Sequence, residues 1–145
     1  MRRAMILARE SADAGEVPVG AILVLDGTII GSGRNSPIAH NDPTAHAEIL
    51  ALREAARTMG NYRLERAILY VTLEPCAMCA GALVNARIAR LVFGSRDLRF
   101  GAVRSKFRIA DSDLLNHRLE ITEGICGADC LELLQAFFRD RRPPP

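Results

Sequence analysis

The dipeptide Asp26-Gly27 stands between two apolar, β-branched runs, Val19–Leu25 and Thr28–Gly31. Asp-Gly supplies the positive φ angles of a tight hairpin turn, so these runs are expected to pair as antiparallel neighbours. The period then changes. Helical spacing runs from about Ala45 to Met59, with Thr44 as a possible cap and Gly60 as the stop. Ala67–Thr72 reads as a strand, Pro75 can open a helix reaching about Asn85, Ile88–Phe93 is a further strand, and Leu119–Glu123 is expected as the last. Helices over about Met1–Ala14, stopped by Gly15, and Ala128–Arg139 complete the chain; the second places Leu131, Leu134, Phe137 and Phe138 on its apolar side. Residues 35–43 and 95–118 read as loops, the longer one with room for a short helix. A hairpin followed by alternating helix and strand implies an α/β sandwich, a mixed sheet of about five strands covered by helices.

At 145 residues the chain fits one domain with a real core, and no repeat or linker divides residues 1–145. It opens directly on its first helix, and a short N-terminal extension ahead of Met1 is expected. No apolar run reaches the ~18 residues of a membrane span, and no signal core precedes a cleavage site, so a cytoplasmic protein is expected. The formal net charge of +2 names no partner. Arginines gather at both ends and in Arg99, Arg104, Lys106 and Arg108, which suits either phosphate binding or a solvated surface.

Two short segments carry chemistry: Thr44-Ala45-His46-Ala47-Glu48 and Glu74-Pro75-Cys76-Ala77-Met78-Cys79, both at predicted helix starts. One imidazole and two thiolates are borderline-to-soft donors that suit zinc, and cysteines three apart at a helix start can converge on one ion. Helix dipoles there favour the thiolates. Three protein ligands leave the fourth tetrahedral position open, which marks a hydrolytic rather than a structural site. Glu48, two residues past His46, can approach the open side without being a ligand and carry protons between water, substrate nitrogen and a leaving amine. Cys126 and Cys130 have helical spacing but read as small buried thiols, and His40 and His117 as loop residues.

The order H-x-E…P-C-x-x-C is the established signature of zinc nucleobase deaminases, so this step is a match to a known pattern. Around it the chain resembles the bacterial tRNA-specific adenosine deaminases of the cytidine deaminase superfamily. The resemblance runs through Glu16–Ala21, Asn35–Pro37, Asp42–Glu48, Asn61–Leu64, Thr72–Gly81, Asn116–Arg118 and Phe137–Arg139, nearly the whole chain. It implies a three-layer α/β/α fold, a homodimer, and hydrolysis of adenosine to inosine at the wobble position of a tRNA anticodon stem-loop. It implies one zinc per chain on His46, Cys76 and Cys79, Glu48 as the proton shuttle, Asn35 on the purine, and Asp97 and Phe137 against anticodon-loop nucleotides. The chain departs from the family after Asp97: Arg99 stands where a lysine is common, and Arg104-Ser105 replaces Gly-Ser. Two other readings stay open, a deaminase of free guanine- or cytosine-type bases or nucleosides, and a zinc-stabilised RNA-binding protein without activity.

Overall fold

The computed structural model describes residues 1–145. In chain order the elements are α1 (Arg2–Asp13), β1 (Gly20–Leu25), β2 (Thr28–Arg34), α2 (Pro37–His40), α3 (Ala47–Met59), β3 (Ile68–Leu73), α4 (Ala77–Asn85), β4 (Arg90–Ser95), β5 (Glu120–Glu123) and α5 (Gly127–Arg139). The five strands form one mixed sheet in the order β2-β1-β3-β4-β5. Asp26-Gly27 makes the expected hairpin, with φ of 48° and 76°, and β1 pairs antiparallel with β2 and with β3. Strands β3, β4 and β5 run parallel, with Leu69 opposite Leu91 and Leu91 opposite Ile121.

Helices cover both faces of the sheet. α1 packs on β1 and touches α5, which lies on β4; α3 lies on β2 and β1 and meets α4. The sandwich is therefore three layers, α/β/α, as the resemblance implied. Its core is a cluster of 23 buried residues, with Leu23, Leu69, Val71, Leu83, Ile88, Leu91 and Phe93 fully enclosed. β2 runs three residues past the expected Gly31, because Gly33 lets the start of α3 lie directly on the sheet; a Cβ there would overlap the carbonyl of Ala47. That close approach fixes where α3 begins, and with it the residues that open the helix.

Three local expectations are corrected. Residues 37–40 form a short helix inside the first loop, begun by Pro37 and ended by Asn41 in the left-handed region. The loop from residue 96 to 119 contains no helix; its turns are held by side chains instead. In α5 the buried residues are Cys130 and Phe137, whereas Leu131 and Phe138 are exposed and Leu134 is half-buried. Packing on β4 sets the rotation of that helix, which a tally of its apolar residues does not reveal. No helix is long and apolar enough to cross a membrane.

Candidate active site

Every segment that builds the site leaves the same edge of the sheet. β3 and β4 end there, β2 ends there at Arg34, and β1, running the other way, begins there. Ligands in open α/β sheets commonly sit outside the carboxyl ends of the strands.

Two helix N-termini meet at this edge. His46 is the residue before α3 and Cys76 the residue before α4, both with extended backbone (ψ 152° and 177°) and neither side chain capping its helix. Thr44 is not the cap that its sequence position suggested. Asp42 Oδ1 accepts both the Thr44 N–H at 2.8 Å and the Thr44 hydroxyl at 2.7 Å. This side-chain turn delays the helix by two residues and leaves His46 at its mouth. The Ser36 N–H donates to the Ala45 carbonyl at 2.9 Å, tying the same turn to the end of β2.

His46 Nδ1 lies 3.6 Å from Cys76 Sγ and 3.5 Å from Cys79 Sγ. The three donor atoms lie within 4.8 Å of one another and could hold a metal ion; no other cluster of metal-binding side chains in the chain does so. The thiols interact through one proton. The hydrogen bond from Cys79 brings the Cys76 thiol down to about 4, assisted by His46, while the same contact and burial push Cys79 far above the usual thiol range. Cys76 in turn raises the imidazole of His46, against the effect of burial. A thiolate beside the imidazole is thus already favoured, and a bound dication would take the second thiol as thiolate as well.

Glu48, on the first turn of α3, is 4 % exposed. Burial pushes its carboxyl up to about 7, and the charge of Cys76 adds to the rise. It lines a cleft of about 450 Å3 together with His46, Cys76 and Asn35, a volume within the usual range for a small-molecule site. Asn35, just past β2, is buried, and its backbone is held at both ends: its N–H donates to Val19 O at 3.0 Å, and its carbonyl accepts the Ser11 hydroxyl at 2.8 Å. With the backbone fixed, its side chain is left for the cleft.

The far wall comes from the loop after β4 and from α5. Asp97, Arg99 and Phe100 line it, and Asp97 Oδ1 accepts the N–H groups of Arg99 (3.0 Å) and Phe100 (3.1 Å). Phe137 does not line the cleft. It is buried, with the Arg141 guanidinium 3.6 Å above its ring, and Phe138 and Leu134 face the cleft instead. One residue turns a helix by ~100°, so the two adjacent rings point to different surroundings.

Sequence reasoning passed over Glu74, quoted only as part of a motif. This residue follows β3 and is 2 % exposed. One carboxylate oxygen accepts the N–H groups of Val103 (3.1 Å), Arg104 (2.8 Å) and Ser105 (2.9 Å); the other accepts the Asp97 N–H at 3.2 Å and the Ser105 hydroxyl. Burial alone would raise its carboxyl, but the Ser105 hydroxyl and the three N–H groups hold it below the usual range. The Ser105 of the unusual Arg104-Ser105 pair is therefore an anchor. Arg104 is committed inward: Nη1 and Nη2 each lie 3.1 Å from the Asp111 carboxylate, with about a fifth of either side chain exposed. It is not the open phosphate contact that its place in a basic cluster suggested. His117 Nε2 lies 2.7 Å from the Ile88 carbonyl, which braces the loop, and Cys126 and Cys130 remain thiols outside any metal cluster.

A family model described as MafB19-like deaminase matches residues 1–142. The chain is 52% identical over 143 residues to a tRNA-specific adenosine deaminase of Haemophilus influenzae, covering 98% of this chain and 83% of that one. Among solved structures it is similar to one from a study of A-to-I editing by tRNA:A34 deaminases at the wobble position of transfer RNA. That match has a TM-score of 0.89 and 43% identity, covering 92% of this chain and 97% of the other. A guanine deaminase from Bacillus subtilis is similar at a TM-score of 0.64 and 34% identity, covering 99% of this chain and 94% of that one.

Proposed function

The chain belongs to the MafB19-like deaminases and to the tRNA-specific adenosine deaminases, and from that membership we propose that it hydrolyses adenosine to inosine at the wobble position of a tRNA anticodon loop, using one zinc ion per chain. The observation that carries the reading is the spacing of His46, Cys76 and Cys79 beside a buried glutamate. A zinc ion bound tetrahedrally at about 2.05 Å to nitrogen and about 2.3 Å to sulfur would set those atoms roughly 3.5–3.6 Å apart. The distances of 3.5 and 3.6 Å fit it. The donor set of one imidazole and two thiolates fits it as well.

When bound, zinc would supply the activation of the attacking water. Glu48 does the proton work. Its carboxylate takes a proton from water as oxygen bonds to C6 of the purine, and delivers it to the ring nitrogen; it then carries the remaining proton of that oxygen to the exocyclic nitrogen, so that the C6–N bond breaks, ammonia leaves and C6 becomes a carbonyl. The buried place of Glu48 on the first turn of α3, beside His46 and Cys76, puts it within reach of both halves of that task. Asn35 holds the purine edge, and the wall of Asp97, Arg99 and Phe100 receives the flanking nucleotides. A looped RNA suits such a cleft because an unpaired base turns out of its stack for a few kcal/mol, less than a paired one. Phe138 takes the aromatic role that the resemblance gave to Phe137.

Residues 1–145 act as a single deaminase domain in the cytoplasm, and the protein works as a homodimer. α4 supports the pairing: after burying Cys79, Ala80, Leu83 and Val84 it still leaves Ala77 and Met78 exposed. Leu98, Phe107 and Leu114 in the following loop are exposed too. The test is a deamination assay comparing an anticodon stem-loop with free adenosine, guanine and cytidine. Inosine should form in the stem-loop faster than any free compound reacts. Faster turnover of a free base or nucleoside would overturn the RNA assignment and leave the zinc deaminase standing.

A further inference from the structure

We propose that Glu74 is a positioning residue that sets substrate specificity: it fastens the 97–105 wall of the cleft to the strand end that delivers the metal-binding cysteines. This rests on the RNA reading above and deepens it.

The wall has no regular structure of its own. Residues 97–105 form turns, and the side chains presented to the cleft, Arg99 and Phe100, are exposed. Asp97 Oδ1 holds the turn at Arg99 and Phe100, and the Ala102 N–H donates to Pro75 O at 2.8 Å, but the two ends of the segment meet on one buried carboxylate. Five donors converge on Glu74, from Asp97 at one end of the segment and from Val103, Arg104 and Ser105 at the other. Successive backbone N–H groups aimed at one anion form a nest, and the anion closes the loop as a bound ion would. Gly101 completes the fit. It lies so close to the carboxylate that a Cβ would overlap it. The loop is thus built around the charge, from both ends and from its middle.

Glu74 is also two residues ahead of Cys76, and its own N–H donates to Ser95 O at 2.8 Å. One short segment therefore carries a metal-site cysteine and the fastening of the substrate wall. The distance between the reacting centre and the groups receiving flanking nucleotides is then set by a rigid link rather than by a free loop. A free base touches little of this wall; a base held in a polynucleotide depends on it. Glu74 thus acts on the choice between those substrates, while His46, Cys76, Cys79 and Glu48 serve both.

Glu74→Gln keeps the shape but turns an amide N–H2 toward N–H donors. Gly101→Ala leaves the carboxylate in place and drives the loop off it. Both zinc-loaded variants should keep one zinc per chain and lose discrimination. KM for the stem-loop should rise about tenfold or more, the scale of losing charge-assisted hydrogen bonds, with kcat falling by a smaller factor. The double variant should lose little beyond either single one, because both break the same contact. Amide exchange should quicken at Val103–Ser105 and not in α3, which reads the anchoring directly. Ser105→Ala, which removes one donor and keeps the charge, should shift KM the same way by less, and serves if Glu74→Gln does not fold. An unchanged KM with unchanged exchange in these variants would overturn the inference, as would equal losses in kcat and KM accompanied by loss of zinc. A wild-type enzyme inactive on the stem-loop would instead overturn the RNA reading itself, and this inference with it.

Discussion

Replacing Glu48 with Gln should make the metal-free protein more stable at pH 8 while removing its activity. The carboxyl is 4 % exposed and burial pushes it up to about 7, against an ordinary value of 4.5. Between those two values the folded chain binds a proton that the unfolded chain has released. Stability is therefore highest below pH 4.5, falls as pH rises toward 7, and stays low above it. A difference of roughly 2.5 pH units corresponds to about 3 kcal/mol at ~1.4 kcal/mol per unit. Glutamine has the same shape and no proton to lose, so it does not carry this pH-dependent cost. The assay is urea unfolding of both proteins, freed of metal by chelation, at pH 5 and pH 8. The core of 23 buried residues does not include His46, Glu48, Cys76 or Cys79. The stability difference between variant and wild type should change by about 2–3 kcal/mol in favour of the variant from the lower pH to the higher. An equal difference at both values would refute the claim that a desolvated, proton-holding carboxyl occupies this site. The catalytic half follows from the same fact: the zinc-loaded variant should bind substrate yet lose ~100-fold to 10,000-fold in turnover.

Cys79→Ala should lose metal and activity together, with elemental analysis of the wild type giving one zinc per chain. Asn35→Ala should lower turnover even at saturating stem-loop, since its backbone is held by Ser11 and Val19 and only the side chain meets the cleft. Arg99→Ala should reduce the salt slope of RNA binding by about one unit, because one phosphate contact is lost. Arg104→Ala should leave that slope unchanged and instead lower stability by ~1 kcal/mol through the broken pair with Asp111. Sedimentation at micromolar concentration should give a dimer.

The chemistry was legible in the sequence because each part of it is local. His46 and Glu48 are two apart, Cys76 and Cys79 three apart, and each pair lies at a helix start. The hairpin and the alternation that follows brought those helix starts to one sheet edge. What was not legible lies in contacts without a period. Glu74 takes its donors from residues 97–105, in a stretch whose turns have no helical or strand repeat. Nothing in Glu-Pro-Cys tells that the glutamate closes a later loop. Arg104 looked like one of a basic cluster until Asp111, seven residues on, took both ends of its guanidinium. Phe137 and Phe138 are adjacent and equally apolar, so only the packing of α5 on β4 decides which of them meets the cleft.

The pairing of charge bears directly on how such a chain could select RNA. Arginines at 34, 53, 66, 90, 96, 104, 108 and 139 each lie within 4.0 Å of a carboxylate, so eight of the nineteen Lys and Arg side chains are met by the protein itself. A formal net charge of +2 leaves little general attraction for a polyanion. Selection then rests on positions where an unpaired cation meets a shaped wall. Arg99 is such a position: it lines the cleft, next to Phe100, and no carboxylate approaches its guanidinium within 4.0 Å. A single cation beside an aromatic ring, on a loop whose two ends are fastened to one buried carboxylate, suits a substrate that brings its own fixed geometry. A folded anticodon loop does so, and a flexible single strand does not. The same reasoning explains why the metal site and the wall share the segment after β3. Chemistry on a base is indifferent to what flanks it, so specificity for a loop has to enter through a part whose distance from the reacting centre cannot vary.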